Sequence, residues 1–180
     1  IGPGNCLIDS WVRKNSNKNF DKDGFLAAKG TTNDIILEQA QELFSNSPSQ
    51  NVLSFDINDF DVSFARGLSL EDGASTLTDF TANVIGTTLS SLLSNVSNKI
   101  WKVLICGGGR KNHILIKKIK KSCLKNINIE LIDDYGVNGD FVESQAFAFL
   151  AIRTNLKLPI SFPNTTGCRQ PTIGGQIIKY

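Results

Sequence analysis

The sequence predicts an α/β fold, and the second half of the chain contains the observations on which this prediction rests. A short, continuous apolar run from Val103 to Cys106 is followed by three glycines and a segment with helical periodicity. This order is typical of a buried strand, a tight turn and a helix. A second apolar run from Ile127 to Ile132 and another periodic segment follow. Strand, helix, strand and helix in succession predict a parallel pair of strands joined by a right-handed crossover.

The chain begins with a turn and a short helix. Gly2-Pro3-Gly4-Asn5 forms a turn by composition, because this combination fits neither a helix interior nor a central strand. Asn5 is placed to cap the helix that follows. The next segment, Lys14 to Gly24, is rich in Asn, Lys and Asp and is predicted to be a surface loop. The apolar positions of the short helix are Leu7, Ile8, Trp11 and Val12.

Two further helices are predicted before the first strand. One is capped by Asn33 or Asp34 and ends in the segment Ser45 to Asn51. Ser69 opens the other, a long helix in which Asp72 completes an imperfect capping box. The apolar positions are Ile36, Leu37, Ala40, Leu43 and Phe44 in the first helix, and Leu70, Ala74, Leu77, Phe80, Val84, Leu89, Leu92 and Val96 in the long one.

The helix after the glycines begins at Asn112, and the second strand ends at Asp133-Asp134-Tyr135-Gly136. Asp140 starts another helix, and the tail from Pro159 to Gly175 is rich in loops. The helix after the glycines has an apolar face of Leu115, Ile119 and Cys123 and a lysine face of Lys117, Lys118, Lys120, Lys121 and Lys125. We expect the lysine face to be solvated, since a nucleic-acid patch needs a larger excess of charge and interleaved aromatic residues.

The composition describes a globular domain and excludes several classes of protein. The chain has 180 residues, of which 41% are apolar and 20% charged, and this is enough for one domain with a sizeable core. The net charge of +2 gives no field strong enough for a nucleic-acid partner. No apolar run approaches the ~20 residues of a membrane span, and no signal peptide is visible. The chain starts at Ile1, and we expect it to be part of a longer protein.

The four cysteines, Cys6, Cys106, Cys123 and Cys168, are widely scattered along the chain. They form no C-x-x-C pair, and the lone His113 is the one histidine near any of them. Neither structural zinc nor a disulfide framework is therefore expected. The prediction is reduced thiols in the cytoplasm, without a metal site of the chain's own.

The turn from Cys106 to Asn112 is the first candidate site. Glycines at the carboxyl end of a strand let a ligand approach the backbone, and free N–H groups at the start of the next helix favour anions. Gly107 and Gly109 match a G-x-G, but the third glycine of a dinucleotide fingerprint falls at Asn112. The turn is not a Walker loop either, since no Gly-Lys-Ser/Thr follows. On the glycines alone, a tight turn without a ligand is an equal alternative.

Three other features are weaker candidates. Gly2-Pro3-Gly4-Asn5 is more readily a plain turn than a phosphate cradle. Asp133-Asp134-Tyr135-Gly136 and Glu143 follow a strand end, where they could meet a polar ligand or a metal. Helix capping and surface solvation are the better explanation for these acidic residues. His113 is expected to be a surface or capping residue.

These segments form an ordered set in which Val103 to Asn112 is a strand followed by GGG-x-x-N. The other segments are Gly2-Pro3-Gly4-Asn5, Ile8-Asp9, Trp11, Asp21, Asp23-Gly24, Leu70-Glu71-Asp72, Thr76-Leu77-Thr78-Asp79-Phe80-Thr81-Ala82, Asp133-Asp134-Tyr135-Gly136, Gly139-Asp140, Glu143, Gln145-Ala146-Phe147-Ala148, Leu150-Ala151-Ile152-Arg153, Leu158-Pro159-Ile160-Ser161-Phe162-Pro163, Thr165-Thr166-Gly167 and Gly174-Gly175. In order and spacing, over nearly the whole chain, the set resembles the anhydro-N-acetylmuramic acid kinase family.

The resemblance implies an actin-like (ribonuclease H-like) domain with a mixed sheet and flanking helices. Residues 1–180 would be the C-terminal domain of a two-domain kinase, with ATP in the cleft between the domains and the N-terminal domain absent from the chain. The implied reaction uses ATP and Mg²⁺, opens the 1,6-anhydro ring of the sugar with water and phosphorylates O6, which gives N-acetylmuramate 6-phosphate in cell-wall sugar recycling. The implied partners are this amino sugar and a second copy of the protein, with neither nucleic acid nor membrane.

The resemblance also implies which residues face the ligands. The proposed catalytic Asp of the family would immediately precede Ile1, so the chain has no catalytic residue of its own and is expected to be inactive alone. Glu143 is the candidate for the sugar side. The implied nucleotide-binding residues are Gly2, Gly4 and Asn5 on the phosphate side, and Gly107, Gly108, Gly109 and Asn112 beside the adenosine.

One departure from the family leaves alternatives open. Between Asn51 and Phe60 the family commonly has P-P-K-S-x-D-R-x-x-F, and here Leu53 and Ile57 occupy the Lys and Arg positions. A degenerate, non-catalytic nucleotide-binding or interaction module is therefore the alternative to the kinase. A nicotinamide-dependent enzyme is a third hypothesis, and the missing third glycine argues against it.

Overall fold

The computed structural model describes residues 3–46, 60–94 and 99–178, and within them the α/β prediction is confirmed. Strands β1 and β2 pair in parallel, with Trp101 opposite Ile127 and Ile105 opposite Leu131. These two strands form a parallel sheet, and the described residues do not contain the mixed sheet that the resemblance implies. The elements are α1 Cys6–Asn15, α2 Phe25–Lys29, α3 Asp34–Ser45, α4 Leu70–Ser94, β1 Trp101–Ile105, α5 His113–Ser122, β2 Ile127–Leu131, α6 Val142–Asn155 and α7 Pro163–Thr166.

The long helix α4 is the element against which most others pack. Its first turns share a core with α1, α2 and α3, and its last turns share a second core with α5 and the sheet. The Oγ of Ser69 accepts a hydrogen bond from the N–H of Asp72 (3.0 Å), which confirms the predicted start of this helix. The predicted end near Val96 lies outside the described residues. Because α4 contacts both cores, it fixes the helical layer relative to the strands.

The prediction that the strand from Val103 to Cys106 is buried is wrong. β1 begins at Trp101, ends at Ile105 and alternates between half-buried and exposed residues. Val103 and Ile105 pack into the core formed with α4 and α5, whereas Leu104 points the other way and is 40% exposed. A continuous apolar run is typical of a strand covered on both faces. Among the described residues, only one face of this sheet is covered.

The prediction for the first helix is confirmed, but that for its cap is wrong. The four apolar positions predicted for α1 are all buried. Asn5 precedes α1, but its side chain makes no capping hydrogen bond and instead accepts one from Asn112. A tertiary partner therefore replaces the local cap.

The predicted surface loop from Lys14 to Gly24 is wrong in part. α1 continues to Asn15, and Asp21 is only 3% exposed. The carboxylate of Asp21 accepts hydrogen bonds from the N–H groups of Leu26 (2.7 Å) and Ala27 (3.0 Å). These bonds satisfy the free N–H groups at the start of α2, a short helix that the sequence does not predict.

Helix α3 confirms Asn33 as its cap, since the Oδ1 of Asn33 accepts a hydrogen bond from the N–H of Ile36 (3.1 Å). Ala40 is buried, and Leu37 and Phe44 pack partly buried beside it. The placement of Leu43 on the same face is wrong, because its side chain is 72% exposed. The segment predicted to end this helix extends to Asn51, and residues 47–51 lie outside the described residues.

Helix α6 confirms the predicted helix but not its start at Asp140. It begins at Val142, and Asp140 makes ion pairs with Arg110 and Lys111 instead of capping. No residue of α6 is buried among the described residues, although the helix contains exposed Phe147, Phe149, Ile152 and neighbouring apolar side chains. The loop-rich tail is confirmed except for the single turn α7. No helix in the described part of the chain is long and apolar enough to cross a membrane.

Candidate functional site

The structure brings together the two turns in which the nucleotide-binding residues are predicted. The Nδ2 of Asn112 donates a hydrogen bond to the Oδ1 of Asn5 (3.2 Å), although the two residues lie 107 positions apart. Gly24 packs against the same amide, since a Cβ at this glycine would lie 2.4 Å from the Oδ1 of Asn112. Gly4 belongs to the first turn, and Gly2 lies outside the described residues. The Asn5 turn and the glycine turn therefore meet at the start of α5.

Asn112 lies buried between these two turns and is only 2% exposed. Its Oδ1 accepts a hydrogen bond from the N–H of Leu115 (3.0 Å), which makes it the N-cap of α5. Its Nδ2 is used by Asn5. Both ends of the Asn112 amide are thus held by protein atoms, and the residue stabilises the helix start as well as the contact between the turns.

The glycine turn, residues 107–109, has an open surface. Gly107 has φ +77° and ψ −179°, a backbone conformation that essentially only glycine adopts. A short 3₁₀ turn extends from Gly108 to Lys111, and neither Gly108 nor Gly109 has a positive φ. A Cβ at any of these three glycines would meet no atom within 4 Å among the described residues. Packing within this part of the chain therefore does not require glycine at 108 or 109, whereas close approach of a ligand to the backbone does.

Arg110 is the side chain that fixes this turn, and no pattern in the sequence indicates its role. The residue is 6% exposed, and its guanidinium binds Asp133 through two bonds, Nε–Oδ2 (2.7 Å) and Nη2–Oδ1 (3.0 Å). Its Nη1 donates to Asp140 (2.7 Å) and to the carbonyl of Gly107 (3.0 Å). Lys111 also binds Asp140 (2.7 Å). These contacts join the glycine turn to the acidic loop that follows β2.

The ion pairs shift the pKa values of the groups in them. Hydrogen bonds from Arg110, and then from Lys111, lower the pKa of Asp140 to about 2. The Arg110 guanidinium likewise lowers the pKa of Asp133, and these two carboxylates raise the pKa of Arg110 above its usual range. All three groups are charged at neutral pH. Both carboxylates are about 40% exposed, as surface solvation predicts, but neither caps a helix, and both pair with Arg110 instead.

Two acidic residues lie elsewhere around the site. Glu143, the predicted sugar-side residue, is exposed on the first turn of α6, directly after the acidic loop. Asp9 lies on α1, and burial raises the pKa of its carboxyl above the ordinary value. The structure does not place either carboxylate in contact with the glycine turn. His113 is exposed, as predicted.

Four of the five lysines predicted for the lysine face of α5 are exposed, as expected, but Lys125 lies beyond the end of α5 at Ser122. Lys118 differs because its Nζ forms an ion pair with Asp79 (2.6 Å) and reaches Thr32 and Ser75 (3.4 Å each). This half-buried polar cluster ties α5 to α4 and to the loop before α3. Lys118 is therefore not part of the solvated face. The exposed members are Lys117, Lys120, Lys121 and Lys125.

A family model described as anhydro-N-acetylmuramic acid kinase matches residues 1–180. The chain belongs to this family. A relative from Pelagibacter ubique (strain HTCC1062), named anhydro-N-acetylmuramic acid kinase, is 51% identical over 99% of this chain and 48% of its own length. Relatives of the same name from Rhizorhabdus wittichii and Zymomonas mobilis are 38% and 37% identical over 97% and 98% of this chain, in each case over 46% of their own length. The resemblance stated from the sequence is confirmed, and the chain spans about half the length of these curated relatives.

Proposed function

We propose that the protein to which this chain belongs is an ATP-dependent carbohydrate kinase acting on 1,6-anhydro-N-acetylmuramic acid. The observation that carries the proposal is the family match over all 180 residues, and the names of the relatives support it. Water adds its oxygen to the anomeric carbon and breaks the bond from that carbon to the bridging oxygen. That oxygen becomes O6 and receives the γ-phosphoryl group of ATP, which leaves as ADP, while the proton of water passes to a base. The product is N-acetylmuramate 6-phosphate.

The glycine turn fits the nucleotide that this reaction needs. Gly107, Gly108 and Gly109 present backbone without a neighbouring side chain, and the N-terminus of α5 follows them. We assign these glycines to the adenosine side of ATP. We assign Gly2, Gly4 and Asn5 to the phosphate side, because the hydrogen bond between Asn5 and Asn112 holds the two turns side by side. The role of Asn112 is then to hold both turns rather than to touch the nucleotide with its side chain.

Mg²⁺ would accompany ATP, where it neutralises the charge of the phosphates. Within residues 3–46, 60–94 and 99–178 no group of three His, Cys, Asp or Glu side chains is arranged to hold a metal ion. We assign the ion to the nucleotide phosphates, with water among its remaining ligands. This division is common for Mg²⁺, which retains waters and uses few protein carboxylates.

We also propose how the whole protein is divided into domains. We place residues 1–180 in the C-terminal, actin-like domain of a two-domain kinase, with ATP in the cleft between the domains. The exposed face of β1 and the wholly unburied apolar helix α6 support a further packing layer, and the relatives are about twice as long as this chain. The catalytic Asp is expected immediately before Ile1, with Glu143 on the sugar side. We further propose a cytoplasmic homodimer in cell-wall sugar recycling.

The experiment that tests this function uses the full-length protein with ATP, Mg²⁺ and 1,6-anhydro-N-acetylmuramic acid in water enriched in heavy oxygen. Mass spectrometry should show one ADP for each sugar 6-phosphate, with one heavy oxygen on the anomeric carbon. N-acetylmuramic acid, which lacks the bridge, is the matched control substrate and should incorporate none by ring opening. A folded protein that makes no ADP would contradict the kinase, and a phosphorylated sugar without heavy oxygen would contradict the coupled ring opening.

The alternative of a degenerate, non-catalytic module depends on Leu53 and Ile57, which lie outside the described residues. The names of the relatives support the kinase instead. The same experiment separates the two, because the alternative predicts nucleotide binding without turnover.

A further inference from the structure

Arg110 is a buried cation at the open edge of the sheet. A guanidinium removed from water is costly unless charged partners and hydrogen bonds compensate for the lost solvation. Asp133 engages it with two bonds and Asp140 with a third, and both carboxylates are about 40% exposed. The fork of Arg110 therefore faces inward while its counter-charges remain partly in water. This arrangement fixes the orientation of the fork.

The guanidinium of Arg110 helps to hold the backbone of Gly107 in the glycine turn. The carbonyl of Gly107 accepts a hydrogen bond from Nη1 of Arg110 (3.0 Å), and the N–H of Gly107 donates to the carbonyl of Gly139 (2.9 Å). Both backbone polar groups of Gly107 are thus occupied. The residue held in this way is the one with φ +77°, a conformation that would strain any residue other than glycine.

Gly139 is shaped to receive the guanidinium. A Cβ at this residue would lie 2.4 Å from the Nε of Arg110, so any other side chain would displace the fork. The N–H of Gly139 also donates to Asp133 (3.3 Å), which closes a ring of contacts between the turn and the acidic loop. Across the described residues, the hydrogen bonds that join the turn to this loop all involve Arg110, Lys111 or the backbone pair of Gly107 and Gly139.

We propose that Arg110 is a positioning residue for the nucleotide: together with Asp133 and Asp140 it holds Gly107 in the conformation that leaves the glycine backbone open. This inference rests on the proposed function, which assigns the nucleotide to this turn. Arg110 acts through the backbone of Gly107, which belongs to the turn that we assign to the nucleotide. Its loss therefore affects the nucleotide and leaves binding of the sugar intact.

The test compares Arg110→Lys with the wild type in the full-length protein. Lysine keeps the charge but cannot form the forked contacts. We expect the Kd for ADP, measured by titration calorimetry, and the KM for ATP to rise about tenfold or more, since small displacements of positioned groups have effects of this size. The KM for the sugar should change less than about twofold. Hydrogen exchange at the amides of residues 107–112 should accelerate in the variant.

Lys102→Gln is the matched control, because Lys102 forms an exposed ion pair with Glu130 (3.6 Å) on the same sheet and does not touch the turn. It should leave the Kd for ADP unchanged. If Arg110→Lys does not fold, Asp140→Asn is the alternative variant. It changes an exposed side chain and removes one charged partner of Arg110, so the Kd for ADP should rise by a smaller factor. Asp133→Asn combined with Arg110→Lys should add little to either single change, since both act through one contact.

The outcomes separate this inference from the function on which it rests. If the wild type binds ADP and Arg110→Lys binds it equally well, the positioning role is refuted and the kinase stands. Equal rises in the KM values for ATP and for the sugar would also refute it, because they indicate general damage. A wild type that binds no adenine nucleotide would overturn both.

Discussion

Alanine substitutions along the glycine turn should separate the effect on stability from the effect on nucleotide affinity. Gly107→Ala places a Cβ on a residue with φ +77° and ψ −179°, so we expect the free energy of unfolding to fall by about 1–3 kcal/mol. Gly108 and Gly109 have no positive φ, and a Cβ there would meet no described atom within 4 Å. Alanine at either of these positions should raise the free energy of unfolding by about 0.4–1 kcal/mol, because it restricts the unfolded chain.

The same added methyl group projects into the space that we assign to the nucleotide. Overpacking by one methyl group costs about 1–3 kcal/mol, so the Kd for ADP should rise by roughly fivefold to over a hundredfold in Gly108→Ala or Gly109→Ala. Urea unfolding of the full-length protein measures the first effect, and titration calorimetry with ADP measures the second. Gly108→Ala and Gly109→Ala variants that bind ADP like the wild type would refute the site. The turn would then be only a tight connection between a strand and a helix.

Three smaller changes test other contacts. Asn112→Ala removes the N-cap of α5 and the hydrogen bond to Asn5, and should lower the free energy of unfolding by about 2 kcal/mol. Asn5→Ala removes only the shared hydrogen bond and should lower it by about 1 kcal/mol. Equal losses in urea unfolding would contradict the capping role. Gly73→Ala should destabilise α4 by about 1–3 kcal/mol, although alanine favours helices, because its Cβ would lie 2.3 Å from the ring of Trp11; a gain in thermal stability would contradict this contact. The ion pairs of Asp140 keep its pKa near 2, below the ordinary value of about 3.9, so their contribution to stability is complete above the ordinary value and is lost as the pH falls toward 2. The difference in stability between the wild type and Asp140→Asn should therefore shrink over that range and stay constant near neutrality.

Local signals in the sequence predicted the elements of the fold well. Asn33 and Ser69 cap the helices that they were expected to cap, since a cap depends on residues within one turn. The parallel pairing of β1 and β2 also follows from the order of the elements. The wrong predictions for the helix starts at Asn5 and Asp140 depend on distant partners. Asn5 was expected to cap its own helix and is engaged by Asn112, which no local pattern indicates.

Burial of polar side chains was the least predictable property of the site. Asp21 stands in a polar stretch, and its burial follows only from the position of α2, a helix too short for a periodic signal. Arg110 stands in a turn where arginine is usually solvated, and its partners Asp133 and Asp140 lie 23 and 30 residues further along the chain. The spacing of these three residues contains no periodicity that would join them. Only the parallel pairing, which brings the ends of both strands to one edge, places them together.

The glycines and Asn112 were predicted as one set of ligand residues, and the structure divides them into two kinds. Asn112 is buried with both ends of its amide used, so a nucleotide cannot reach its side chain without breaking the start of α5. Gly108 and Gly109 face open space and are not required there by the conformation or packing of the described residues. A residue that stabilises the scaffold should lose stability on substitution, whereas a residue that admits a ligand should lose affinity alone. The contrast between Asn112→Ala and Gly108→Ala therefore decides whether this turn is a binding site or only a connection.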